Sequence, residues 1–190
     1  MSAISLENIE KASAQFWEQM LDMRLEPCGD TWARGDQHRC IEPHHLVAYC
    51  DLSGVWAGRI EVRLTLGLAL KATSAMLMQP VEAVESADAI DATKEIANMI
   101  AGTLKSALPR PCTMSVPYAL IEDGEFCVLP RTEDTVTVFF HHPAGELMVR
   151  VWRQISNPVS DPVREQMKEQ VREHARERAA YGELLTPAFA

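Results

Sequence analysis

Apolar positions first recur at helical spacing. Ile9, Phe16, Trp17, Met20 and Leu21 share one side of residues 6–23, behind Ser5 in an N-cap position, and predict a first helix. After a loop through Pro27, Gly29 and Gly35 the period drops to two. Residues 46–52 read as a strand and Ser53-Gly54 as a turn. Residues 59–66 alternate strictly, with Ile60, Val62, Leu64 and Leu66 on one face and Arg59, Glu61, Arg63 and Thr65 on the other. That pattern predicts an antiparallel strand with one buried and one wet face. Helical spacing returns over residues 66–77 through Leu68, Leu70, Ala75, Met76 and Leu77, and Pro80 ends it. An acidic stretch at 82–88 leads into the longest helix, 89–107, closed by Pro109 and Pro111. At 1.5 Å per residue that helix is about 28 Å long and can cross a domain.

The remaining core reads as β. Residues 113–120 and 125–129 flank the turn signal Glu122-Asp123-Gly124, and residues 135–141 and 147–154 flank a turn at Pro143–Gly145 that follows His141 and His142. Strands, then helices, then strands, without a βαβ rhythm, argue for an α+β fold: an antiparallel sheet packed against two long helices. Beyond Ile155 the character changes. Asp161-Pro162 opens a charged helix over 162–182 whose apolar stripe, Val163, Met167, Val171 and Ala175, is too thin to build a core. It lies on the domain surface or pairs with a partner helix. The expected organisation is one domain over 5–155 and a C-terminal extension over 156–190.

Composition narrows the function classes. With 47% hydrophobic and 24% charged residues in 190, the chain can bury a core without staples. Its net charge of −9 argues against nucleic acid as a partner. No apolar run approaches the ~18 residues of a membrane span, and the polar, acidic start is unlike a secretion signal, so the expected location is cytoplasmic. The five cysteines are odd in number, widely spaced and without CxxC, which indicates neither a disulfide framework nor a zinc ribbon. Cys28, Cys40, His44 and His45 are metal-capable, but adjacent histidines on a strand point to opposite faces, and a loop without metal is the simpler reading. A P-loop and a GxSxG elbow are both absent. Trp17, Trp56 and Trp152 sit in amphipathic elements and read as core.

The longest helix carries the candidate chemistry. At 100° per residue, Ala89, Ile96, Ala97, Ile100, Leu104, Ala107 and Leu108 gather on one side. Asp91, Glu95, Asn98 and Gly102 gather on the other, within a stripe about 60° wide. Asparagine and glycine are both poor mid-helix residues, the glycine by roughly 1 kcal/mol against alanine. A glycine there removes the side chain that would hold another backbone away, so the stripe looks built for docking. Glu-x-x-Asn alone is common by chance. With Asp or Ser four residues before and Gly four residues after, it is expected in roughly one chain of this length in a hundred or fewer.

Asp91-x-x-x-Glu95-x-x-Asn98-x-x-x-Gly102 resembles the active helix of the CheC/CheX/FliY phosphatases of bacterial chemotaxis. Residues 53–60, Ser-Gly-Val-Trp-Ala-Gly-Arg-Ile, resemble that family's glycine-containing entry into an amphipathic strand. Leu68-Ala69-Leu70 resembles the helix that follows, and Ser115-Val116-Pro117 the strand after the active helix. The resemblance covers residues 5–155. It implies a phosphatase of the aspartyl phosphate of a CheY-type response regulator. Asn98 would orient the attacking water, Glu95 would ion-pair with the receiver's lysine, and Asp91 and Gly102 would belong to the binding surface. The chain would carry no cofactor of its own, and Mg²⁺ would come on the receiver. Residues 66–77 contain no Glu or Asn, so the motif occurs once, which resembles the CheX branch and its two-fold homodimers joined through sheet edges. Two other readings stay open at this level: a non-catalytic receiver-binding or flagellar-switch module, and an unrelated α+β domain whose helix face is covered by its own chain.

Overall fold

The computed structural model describes residues 5–28, 44–123 and 135–153. The expected strand at 125–129, Cys40, Cys127 and the C-terminal helix at 162–182 lie outside the described residues. The fold is α+β. Among the described residues seven strands form one antiparallel sheet: β1 (Glu26–Pro27), β2 (His44–Gly54), β3 (Gly58–Thr65), β4 (Cys112–Met114), β5 (Tyr118–Asp123), β6 (Thr135–His142) and β7 (Gly145–Arg153). Their order is β1-β6-β7-β3-β2, and β4 and β5 share the far edge of β2.

Among the described residues three α-helices supply the other layer: α1 (Leu6–Leu21), α2 (Leu66–Leu77) and α3 (Ser86–Ser106). Ser5 caps α1 by accepting from the Asn8 amide, and Asp22 closes it in the left-handed region at φ 51°, so that the helix ends at Leu21, two residues before the expected end. The period-2 alternation sends Leu46, Ala48, Ile60, Val62, Leu64, Leu147 and Val149 into a single core with Ile9, Trp17, Leu68, Ile96, Ile100 and Leu104 from the helices. Trp56 joins that core. Trp152 does not: it is half-buried on the opposite face of the sheet, its ring 6.0 Å from the Arg59 guanidinium.

That opposite face corrects the expectation of a wet surface. Glu61 is 2% exposed and Thr65 is buried as well. Register explains it, because Glu61 lies between Tyr49 on β2 and Arg150 on β7. Its carboxylate meets Arg63 at 3.0 Å and Arg150 at 3.3 Å. Arg59 pairs with Asp51 through two hydrogen bonds, of 2.6 and 3.1 Å, and lies over the rings of Tyr49 and Tyr118. Each charge is thus paired with one on a neighbouring strand or on its own, which is what allows it to be buried.

Two boundaries also differ. The expected strand at 113–120 is two strands, because Ser115 leaves the ladder: its amide donates to the Asp51 carbonyl and its hydroxyl accepts from the Asp51 amide. Pro117, which has no N–H to give, precedes β5. The longest helix begins at Ser86, inside the acidic stretch. Glu85 and Asp88 form a reciprocal capping box there, satisfying amides that would otherwise be orphaned.

Candidate functional site

α3 is held on the sheet by Ala89, Ala92, Thr93, Ile96, Ala97, Ile100, Ala101 and Leu104, all buried. It also touches α1 and α2, and Thr93 spends its hydroxyl on the Ala89 carbonyl at 2.7 Å. One stripe of the helix is left facing outward. Asp91 and Glu95 are exposed, and Asn98 and Gly102 are half-exposed. All four residues singled out in the sequence therefore share one face, along about 16 Å of helix. Met99, 37% exposed, extends this face by an apolar contact that sequence reasoning did not select.

The groups on the stripe are not equivalent. The Asp91 carboxylate is 77% exposed but already engaged, with Lys94 Nζ at 2.8 Å one turn on. Glu95 and Asn98 have no ion-pair or hydrogen-bond partner among the described residues. Their charge and their amide are available to something outside the chain. The Asp91–Lys94 pair is the i, i+3 spacing at which opposite charges meet on a helix surface.

Glycine at 102 has no internal reason. A Cβ built there meets nothing within 4 Å, and its backbone is ordinary helix. Gly54 is the contrast. Its φ is +133°, and a Cβ there would run into the Pro111 carbonyl, which accepts from the Val55 amide at 3.0 Å. Gly54 is thus required by this chain's own packing, and Gly102 is not. Among the described residues no group of three or more His, Cys, Asp or Glu side chains could hold a metal ion. His44 and His45 sit side by side on β2, so their side chains leave opposite faces of the strand, and His45 is buried. No helix among the described residues is long and apolar enough to cross a membrane.

The family model of the chemotaxis phosphatase CheX matches residues 46–141, half of the chain, which covers α2, α3, β3, β4 and β5 and most of β2 and β6. The chain belongs to the CheX family. That membership overturns the reading of an unrelated α+β domain. Solved structures agree on the fold. The chain is similar to CheX from Vibrio vulnificus at 16% identity and TM-score 0.62, covering 81% of this chain and 99% of that one. It is similar to CheX from Desulfovibrio desulfuricans at 20% identity and TM-score 0.58, covering 78% and 97%. A third relative in fold is the CheX of a CheX–CheY–BeF₃–Mg²⁺ complex from Borrelia burgdorferi, at 15% identity and TM-score 0.56, covering 80% and 99%. No curated protein sequence matches.

Proposed function

We propose that this CheX-family chain hydrolyses the aspartyl phosphate of a CheY-type receiver, with Asn98 and Glu95 as its working residues. The observation that carries the reading is the unspent pair on α3: a carboxylate and a carboxamide one turn apart, facing outward beside a glycine that the fold does not need. Acyl phosphate hydrolysis passes through a loose, in-line transition state, so positioning the water is most of what a catalyst must do. A carboxamide suits this, because its oxygen can accept from the water while its nitrogen donates to the phosphoryl group. Glu95 supplies the charge that pairs with a lysine on the receiver and fixes the register of the dock. Asp91, held by Lys94, contributes binding surface rather than chemistry, and Gly102 lets the partner's backbone come close.

Mg²⁺ belongs to the receiver in this scheme, and the Borrelia burgdorferi complex contains CheX, CheY, BeF₃ and Mg²⁺ together. We further propose the domain division at residue 155 and a homodimer through a sheet edge. The support for the dimer is the single copy of the motif, which resembles the CheX branch.

The test separates the two residues. A receiver phosphorylated with acetyl phosphate is mixed with the wild-type chain, Asn98→Ala and Glu95→Ala, and phosphate release is followed against receiver concentration. Asn98→Ala should lower kcat by about a hundredfold, the range for losing one positioning group, and Glu95→Ala should act mainly on KM. Binding without accelerated release in the wild type would leave the non-catalytic receiver-binding module as the function.

A further inference from the structure

The outward stripe of α3 does not end at Gly102. Lys105 and Ser106 follow one turn on, and with Gly102, Arg110 and Met114 they line a groove of about 700 Å³ between the end of α3 and β4. Pro111, Cys112 and Met114 form its far wall, and Gly54 behind them, having no Cβ, lets the Pro111 carbonyl reach the Val55 amide as Cys112–Met114 pair with Leu52–Gly54.

Charge changes sign along this surface. Glu95 makes the first half acidic, beside an Asp91 already paired with Lys94; Asn98 and Gly102 are neutral, and Lys105 and Arg110 make the end basic. Four other cations, Arg59, Arg63, Lys94 and Arg150, are each paired with a carboxylate of this chain. Lys105 and Arg110 have no such partner among the described residues, and neither do Lys11, Arg24, Lys71 and Arg153; what sets Lys105 and Arg110 apart is that both line one groove at the end of the stripe. The α3 dipole accounts for a lysine in the last turn, but not for Arg110, which lies beyond the helix. In a chain of net charge −9, two unspent cations at the mouth of a groove are a local exception to the field an acidic partner would meet.

We infer that this groove receives a carboxylate-bearing segment of the receiver and sets the orientation of the dock. The inference rests on the proposed function and deepens it. A partner with a cation opposite Glu95 and carboxylates about 15 Å further along fits this stripe in one direction only, because the reversed pose sets like charges together at both ends. Lys105 and Arg110 are positioning residues here, acting on which receiver binds and how fast, while Asn98 acts on the phosphoryl group.

The test uses the full chain and a CheY-type receiver loaded with Mg²⁺ and beryllofluoride, titrated at about 50 and 300 mM salt to vary screening. Lys105→Glu/Arg110→Glu should weaken binding about tenfold at low salt, with the gap closing at high salt. In a parallel decay assay with phosphorylated receiver the change should fall on KM rather than kcat. The neutral pair Lys105→Gln/Arg110→Gln, which avoids new repulsion, should give a smaller loss of the same salt dependence, and circular dichroism checks that both variants fold. Affinity within twofold of wild type, or a loss that persists at high salt, overturns the inference. If the wild type binds but does not speed decay, the phosphatase reading fails, and the ratio of affinities still decides the groove. If the wild type binds no CheY-type receiver, both fail.

Discussion

Replacing Gly102 by alanine should make the domain more stable and its docking worse. The residue is interior to α3, and its backbone needs no left-handed conformation. An added Cβ has nothing within 4 Å to collide with. Alanine is then favoured by about 1 kcal/mol, the usual difference at such a site, because glycine loses more backbone freedom on folding. For a chain of this size that corresponds to a rise in Tm of about 2–4 °C. The same methyl group stands where a partner's backbone is proposed to approach. Intruding on a packed contact costs about 1–3 kcal/mol, so affinity for a beryllofluoride-loaded receiver should fall about fivefold to a hundredfold. Thermal unfolding and a binding titration on the same preparation read both quantities. A lower Tm would mean that Gly102 serves the fold. A higher Tm with unchanged affinity would mean that no backbone approaches there.

Other outcomes follow from the core and the sheet. Glu61→Ala should destabilise by about 3 kcal/mol in urea unfolding, because it strips a buried carboxylate from Arg150 and Arg63; a change under 1 kcal/mol would mean that water reaches these cations. Ile100→Ala should cost about 2–5 kcal/mol in the same assay through the cavity it leaves under α3, and a cost below 1 kcal/mol would mean that the site collapses to fill it. Burial, with Arg63 nearby, holds His45 below its ordinary pKa of 6.5, against the opposing pull of Glu122. The unfolded chain therefore takes up this proton first, so His45 contributes stability above about pH 6.5 that is lost as pH falls through its folded value. His142 is lowered in the same direction by burial. His45→Gln should flatten the decline in urea midpoint on acidification, and an unchanged slope would assign that decline to other groups.

Much of the fold was legible because the helices and inward strand positions follow simple periods. α2 spans the residues that its apolar spacing marks, 66–77, and the buried side of α3 is the side that the 100° wheel assigns. What was missed depends on partners distant in the chain. Glu61 looks solvated until the register sets it between Tyr49 and Arg150. Ser115 reads as strand until its hydroxyl takes the Asp51 amide. The start of α3 was obscured because the residues that cap it, Glu85 and Asp88, read as an acidic linker. The candidate site was legible for the opposite reason: Asp91, Glu95, Asn98 and Gly102 lie on one helix, where spacing alone brings them to one face. The basic groove was not, because Arg110 meets the end of α3 only through the approach of Pro111 to Gly54.

The central claim is that α3 speeds the loss of an aspartyl phosphate by orienting water through Asn98. The most direct measurement is the first-order decay of a Mg²⁺-bound phospho-receiver of the CheY type under saturating chain, wild type against Asn98→Ala, with Tm confirming that both are folded. The account predicts accelerated decay with the wild type and a return to within a few-fold of the spontaneous rate with the variant. Equal acceleration by both would contradict it.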